Sequence, residues 1–212
     1  MKILVVGASK GTGAECVKAA LAAGHEVTAF ARTPTKLTLE DAKLNKVAGD
    51  FHDADSVKKA VPGHDAVIVT ASVSSLSDFK RVPDYFSRGT RFCIDAMKAS
   101  GVKRLVVLSA QGSGESRAGM NPVIRFIMVD GILKRAFADH DVQERATRES
   151  GLAWIVARPS RLTDGPAKNQ YVRESNPEAK VPSSISRADV AAFMVEACGS
   201  STLVDKAWSL GG

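Results

Sequence analysis

Apolar runs of four to seven residues alternate with longer amphipathic stretches along most of this chain. The first, Ile3 to Val6, passes directly into Gly7-Ala8-Ser9-Lys10-Gly11-Thr12-Gly13 and then into a helical pattern that continues through Ala23. Further strand-like runs stand at His25 to Ala31, Asn45 to Ala48, Asp65 to Thr70, Lys103 to Leu108 and Leu152 to Arg158. An unbroken apolar run such as Ala66 to Val69, without polar alternation, suits a strand covered on both faces of a parallel sheet. Between the runs, the pattern predicts helices from about Asp53 to Ala60, Tyr85 to Ala99 and Ala138 to Glu149, the last stopped by Ser150-Gly151. Pro122 to Phe137 is apolar with interspersed Arg125 and Lys134 and reads as helical cover, while the glycine-rich Gln111 to Asn121 reads as a mobile segment above the sheet edge. The remainder predicts a turn at Leu162 to Pro166, a short strand near Lys180 and Val181, a helix from about Ser186 to Ala197 with Ser186 as cap, and a final strand near Ala207 to Leu210. Repeated β-α alternation makes an α/β fold with a doubly wound parallel sheet the expected architecture, as one domain over residues 1–212.

The glycines at 7, 11 and 13 give the first candidate chemistry. Gly7 lets the chain leave the strand in a conformation costly for other residues, Gly11 leaves room for a pyrophosphate to approach the backbone, and Gly13 lets the helix pack close to the strand. The unpaired N–H groups at the start of that helix then face the phosphates. The end of the second strand addresses which dinucleotide is bound. An acidic residue there would hold the ribose of NAD, whereas Phe30-Ala31-Arg32-Thr33-Pro34 offers a cation and no acid between Val27 and Leu39. Lys10 in the glycine turn adds a second cation and Lys36 is a further candidate, so the reading favours NADP(H).

Composition narrows the alternatives without changing this picture. Of 212 residues, 44% are hydrophobic and 25% charged, ordinary for a globular protein, and no apolar run approaches the ~20 residues of a membrane span. The short first run followed by Gly-Ala-Ser-Lys-Gly reads as a strand and not a leader, which sets the expectation of a cytoplasmic protein without membrane association. The net charge of +6 comes from dispersed basic residues without a basic block or a nucleic-acid motif, so no nucleic-acid partner is expected. Cys16, Cys93 and Cys198 are widely spaced in apolar surroundings and read as reduced core thiols, with no metal site.

Several longer motifs carry a resemblance: GASKGTG at 7–13, AFARTP at 29–34, GDFHD at 49–53, VVLSAQG at 106–112, ADHDVQERATRESGLAWIVARPSRLTDGP at 138–166 and SRADVA at 186–191. With these the chain resembles the short-chain dehydrogenase/reductase superfamily, in particular the atypical branch of NAD(P)H-binding proteins that includes NmrA-like proteins and biliverdin/flavin reductases. The resemblance implies a Rossmann-like domain with a small C-terminal substrate-side portion and substrate-side segments at about 111–137 and 160–185. It implies that the turn Gly7, Ser9, Lys10, Gly11, Thr12 and Gly13 holds the pyrophosphate. Arg32, with Thr33 beside it, and Lys10 would hold the ribose phosphate, and Asp50 with Phe51 the adenine. Thr70 and Ala71, followed by Ser72, would lie at the inner ribose, Ser109 and Ala110 at the nicotinamide, and Pro159 with Ser160 at its carboxamide.

The chain departs from the main superfamily at the catalytic Tyr-x-x-x-Lys pair. Ten residues before Ser150 stands His140 where the lysine belongs, and four residues earlier stands Ala136 where the tyrosine belongs. That loss counts against alcohol or sugar dehydrogenation and against epimerisation, which must move a hydroxyl proton. It leaves open hydride transfer to a flavin, quinone or biliverdin-like acceptor, whose conjugated system spreads the incoming charge. The expected function is therefore an NADPH-dependent reductase of a planar acceptor, acting as monomer or homodimer. Ser109 and His140 are the candidate catalytic groups, and Glu144 is a helix charge for Arg148. A non-catalytic NADP(H)-binding redox sensor of the NmrA-like type is the alternative, with a nucleotide-sugar epimerase or dehydratase behind it.

Overall fold

The computed structural model describes residues 1–71 and 82–212, so Ser72 lies outside the described residues. A sheet of eight strands runs through the centre: β1 (Lys2–Val6), β2 (Glu26–Ala31), β3 (Leu44–Ala48), β4 (Ala66–Val69), β5 (Arg104–Leu108), β6 (Ala153–Pro159), β8 (Val172–Glu174) and β10 (Lys206–Gly211). Its spatial order is β3-β2-β1-β4-β5-β6-β10-β8, with every neighbouring pair parallel except the antiparallel edge pair β10 and β8. A separate parallel pair, β7 (Arg161–Thr163) and β9 (Ser184–Ser186), is tied to the end of β10 by the Gly212 N–H, which donates to the Ser184 carbonyl at 2.7 Å. The order reverses between β1 and β4, and at such a switch point the connections diverge to opposite faces and open a crevice at the carboxyl ends of the strands.

Burial on both faces explains the unbroken apolar runs. Ile3 and Val5 of β1 point to one face and pack with Cys16, Val17 and Ala20 of α1 (Gly11–Ala22) and Phe193, Met194 and Ala197 of α5 (Arg187–Gly199). Leu4 and Val6 point to the other, against Val57 of α2 (Ala54–Ala60) and Cys93, Ile94 and Met97 of α3 (Tyr85–Ser100). The three cysteines are free and buried in these two cores, and burial raises all three thiols well above their ordinary range. Local signals set the helix ends. Asp53 caps α2 by accepting from the Asp55 N–H at 3.2 Å, Ser186 caps α5 by accepting from Asp189 N–H at 2.9 Å, and Gly101, at φ 76°, closes α3.

The structure revises the expected elements in three places. The helix expected from Ala138, α4 (Lys134–Arg148), starts four residues earlier, because Phe137 and Asp139 turn into its packed face. The preceding helical cover is a single α turn, Pro122–Ile124, that widens into a π-helix, Arg125–Ile132. No strand forms at Lys180 and Val181, where Pro182 has no N–H to donate. The strand lies instead at Ser184–Ser186, and its partner Arg161–Thr163 occupies part of the stretch expected to be a turn. The glycine-rich segment after β5 bonds within itself and to α4: Gly114 N–H donates to Asp141 at 2.7 Å, Arg117 Nε to the Gly112 carbonyl at 3.0 Å, and Arg117 also pairs with Asp141.

Helix α3 has a cap supplied by another helix. Asp84 at its own N-cap position makes no side-chain cap bond, while the buried Asp139 of α4 accepts from the N–H groups of Phe86 at 2.6 Å and Ser87 at 3.3 Å. This carboxylate joins two of the helices that cover one face of the sheet. Asp139→Ala is expected to lower stability by about 2 kcal/mol or more, since two buried donors lose a charged acceptor. Urea unfolding of wild type and variant measures it, and a difference within ~0.5 kcal/mol would show that water replaces the carboxylate.

Candidate functional site

The first turn of α1 sits at the switch point because two glycines there lack side chains. Gly7 has φ 87°, and a Cβ on it would stand 2.7 Å from both Cα and N of Ala71. A Cβ on Gly13 would fall on the Gly7 carbonyl oxygen and 2.6 Å from Thr70 Oγ1. Strand β1, helix α1 and the end of β4 therefore meet by direct backbone contact. The Thr70 hydroxyl donates to the Val6 carbonyl at 2.8 Å, and Gly7 N–H donates to the Phe30 carbonyl at 2.9 Å, which fixes the turn to both neighbouring strands. No side-chain cap forms on α1 among the described residues, which leaves the N–H groups of its first turn without a side-chain acceptor beside the crevice.

Beside this turn opens a cleft of about 380 Å³ lined by Gly7, Ser9, Lys10, Ala31, Arg32, Thr33, Asp50, Phe51 and Ala71, together with Phe30, Lys36, Gly49 and Tyr85. The structure thus brings together eight of the residues expected at a dinucleotide site, with Gly11, Thr12 and Gly13 directly following at the helix start. The side chains of Arg32 and Lys36 make no hydrogen bond or ion pair with the described residues, leaving two cations on the rim at the end of β2. Phe51 is nearly buried with its ring against Gly89 of α3, where any Cβ would enter the ring. Phe30 is held in the same way over Gly49. Tyr85, Phe30 and Gly49 are cleft residues that the sequence reading does not assign. The one available signal was position, since each lies within two residues of a strand end or begins the helix after the switch-point strand.

Ser109, Ala110, His140, Pro159 and Ser160 do not line this cleft. Ser109 follows β5, and its nearly buried hydroxyl donates to Glu144 Oε1 at 2.6 Å. Arg158, at the end of β6 and 2% exposed, donates to the same carboxylate through Nε at 2.9 Å and Nη2 at 2.5 Å. Glu144 is therefore not chiefly a partner for Arg148, which stands 3.8 Å away. Its near partners are the buried Arg158 and Ser109. Glu115 completes the group, accepting from Arg158 at 3.0 Å and Arg148 at 2.6 Å. Gly114 leaves the space for Arg158, whose Nη2 would lie 2.7 Å from a Cβ there. His140 lies between α3 and α4, stacked on Phe86 at 3.9 Å between ring centres. Its Nδ1 donates to the Gln143 amide oxygen at 2.8 Å, and burial lowers its pKa below the ordinary 6.5 despite the nearby Gln143, Glu144, Asp139 and Asp141. Burial thus disfavours the charged form of the ring.

The segments following β5 and β6 carry buried polar atoms without a partner among the described residues: Gln111 Oε1, Ser113 Oγ and Ser160 Oγ. Gln111 N–H donates to the Pro159 carbonyl at 2.9 Å, which joins the two strand ends and places Gln111 close to Ser160. An amide-bearing ligand offers both donor and acceptor to such a pair. Together with the side-chain-free turn, the uncapped α1 and the rim cations, these atoms fit a dinucleotide laid across the switch point.

Comparison with known proteins agrees. The chain belongs to the NAD(P)H-binding family, whose sequence model matches residues 7–200. Sterol demethylase protein B of Methylococcus capsulatus is 33% identical over 125 residues, covering 58% of this chain and 37% of that protein. The reductase pytE of Aspergillus terreus is 27% identical, covering 92% of this chain and 90% of that one. Among solved structures, ChuY, an anaerobillin reductase from Escherichia coli O157:H7, superposes with a TM-score of 0.79 at 25% identity, covering 100% of this chain and 97% of ChuY. The chain spans between 31% and 46% of the length of the first curated relatives it matches. No helix among the described residues is long and apolar enough to cross a membrane.

The acidic cluster sets a pH dependence. Burial pushes the Glu115 carboxyl up, but hydrogen bonds from Arg158, its own backbone N–H and Arg148 outweigh this and hold its pKa at about 2, below the ordinary 4.5. The unfolded chain takes up the proton first, so Glu115 stabilises the fold fully above about pH 5 and progressively less as pH falls toward 2. Melting temperatures from pH 6 to pH 3 are expected to fall less steeply for Glu115→Gln than for wild type. Parallel curves would show that the pairs to Arg148 and Arg158 contribute no net stability.

Proposed function

We propose that this chain is an NADPH-dependent reductase that delivers hydride to a planar conjugated acceptor such as a flavin, a quinone or a biliverdin-like compound. The observation that carries the cofactor choice is the pair of rim cations Arg32 and Lys36, free of acidic partners among the described residues, at the end of β2 where NAD-binding chains place an acid. Asp50, the acid in the cleft, follows β3 and not β2, and its Oδ1 accepts from His52 N–H at 2.9 Å within its own turn. Bound NADPH supplies the hydride from its nicotinamide ring. The backbone N–H groups of the glycine turn and first turn of α1 hold the pyrophosphate, Arg32 and Lys36 the 2′-phosphate, and Phe51 one face of the adenine pocket. Gln111 and Ser160 orient the nicotinamide end through its carboxamide, so that one face of the ring is presented to the acceptor.

The acceptor class follows from which proton chemistry the site provides. Ala136 and His140 stand at the spacing where a tyrosine and lysine would act, the Ser109 hydroxyl is held by Glu144, and His140 is stacked on Phe86 where burial disfavours its charged form. A conjugated acceptor needs no protein acid at the moment of hydride transfer, because its charge is delocalised and the proton comes from water. Apolar surface for such an acceptor is offered by the segment after β5, where Val123, Phe126 and Ile132 are 65%, 74% and 62% exposed. Two relatives in the comparison, pytE and ChuY, are named reductases. The engaged Ser109 hydroxyl also suits a protein that binds NADP(H) and reports redox state to a partner without turnover.

Absorbance at the reduced nicotinamide band, followed with FMN, riboflavin, simple quinones and biliverdin, decides between these. The reductase is expected to oxidise NADPH in preference to NADH with at least one acceptor. Tight NADPH binding with no turnover on any of them would favour the sensor. Arg32→Ala is expected to raise the KM for NADPH roughly 10- to 100-fold while changing that for NADH little, since a charge-assisted bond to the 2′-phosphate is worth about 1.5–3 kcal/mol. Equal losses for both cofactors would place Arg32 elsewhere than at the 2′-phosphate.

A further inference from the structure

We infer that Arg187 binds the cofactor's pyrophosphate at Gly11, and so links the substrate-side strands β7 and β9 to an occupied glycine turn; the inference rests on the dinucleotide reading above. Gly11 is the glycine at which a phosphate must approach the backbone most closely. Above it the space is open except toward one residue: the atoms within 4 Å of a Cβ built there are Arg187 Nε at 3.7 Å and Arg187 Cδ at 3.9 Å. A phosphate oxygen seated against Gly11 would therefore lie within reach of the guanidinium. Arg187 is the first residue of α5, so it reaches the turn from a helix distant in sequence, and no glycine-turn pattern contains it.

The placement of Arg187 is fixed independently of any ligand. Ser186 caps α5, and the fully buried Asp189 in the same first turn accepts from the Ser186 hydroxyl at 2.6 Å and from the N–H groups of Lys168 at 2.9 Å and Asn169 at 2.8 Å. This ties the loop after β7 to the helix start. In the same loop Asp164 accepts from Arg187 Nη1 at 2.6 Å, while the other guanidinium nitrogens make no hydrogen bond with the described residues. Asp164 is itself 93% exposed, so this pair lies in water and is weak by itself. It aims the side chain while leaving Nε and Nη2 available. A guanidinium with donors unpaired among the described residues, beside an uncapped helix start, is suited to a pyrophosphate, which presents oxygens from two phosphates to a planar fork of N–H groups.

Two fragments of the cofactor separate the two cations. ADP-ribose carries the pyrophosphate without a 2′-phosphate, and 2′-AMP carries the 2′-phosphate without the pyrophosphate. Calorimetric titration of the full chain is expected to show Arg187→Ala weakening ADP-ribose, NADH and NADPH alike by roughly tenfold or more, with 2′-AMP affinity unchanged. Arg32→Ala is expected to show the reverse pattern. If R187A melts well below wild type, Arg187→Gln, which keeps the stem and a hydrogen-bonding end without the charge, is read by the same titration. ADP-ribose affinity equal to wild type in a folded variant overturns the inference, as does an equal loss for ADP-ribose and 2′-AMP, which would mark a general disturbance of the cleft. A wild-type chain that binds neither ADP-ribose nor NADPH would instead remove the dinucleotide reading beneath it.

Discussion

Direct backbone contact between Gly7, Gly13 and the Thr70-Ala71 end of β4 is the constraint on which this structure depends. Two missing Cβ atoms let α1 settle onto β1 and against β4, which no other residue pair would permit without moving the strand or the helix. That close fit sets where α1 begins, leaves its first N–H groups without a capping side chain, and opens the crevice at the point where strand order reverses. Everything assigned to the cofactor lies around this point. Arg32 and Lys36 reach it from the end of β2, Phe51 from the end of β3, Gln111 and Ser160 from β5 and β6, and Arg187 from α5.

A second, separate network holds the other half of the sheet edge. Strand β6 lies between β5 and β10, so a charged residue at its end must find a buried partner or be expelled. Arg158 finds Glu144 from α4 and Glu115 from the segment after β5, and Ser109 completes the set of donors to Glu144. The pair fixes α4 over the sheet, and α4 in turn caps α3 through Asp139. The consequence for chemistry is that Ser109 and His140, the two groups best placed in sequence to act on a proton, are both committed to structural bonds. That arrangement supports the proposed hydride acceptor, one that needs no protein acid.

Much of this was legible in the residues. The glycine turn, the cation at the end of β2 and the six central parallel strands are local signals: each depends on a run of neighbouring residues whose burial or backbone geometry is decided nearby. The features that escaped are those decided across the chain. Glu144 looks like an i, i+4 partner for Arg148, and only the sheet order brings it to Arg158. The short strands β7, β8 and β9 are too brief and polar to stand out, and exist because their partners are supplied by tertiary packing. Tyr85 and Gly49 join the cleft through the path of the chain around it, and Arg187 reaches Gly11 from 176 positions later in sequence. The glycines opposite Phe30, Phe51 and Arg158 are a partial exception, since a glycine in or beside a regular element often marks a large side chain pressed against it.

The central claim is that one dinucleotide with a 2′-phosphate lies across the switch point, adenine at Phe51 and nicotinamide at the ends of β5 and β6. A crystal structure of the chain with NADP⁺ tests it most directly. The 2′-phosphate is expected within ion-pair distance of Arg32, the pyrophosphate over Gly11, and the carboxamide hydrogen-bonded at Gln111 or Ser160. A dinucleotide bound in the opposite direction, or with its 2′-phosphate turned away from Arg32 and Lys36 into solvent, would contradict it.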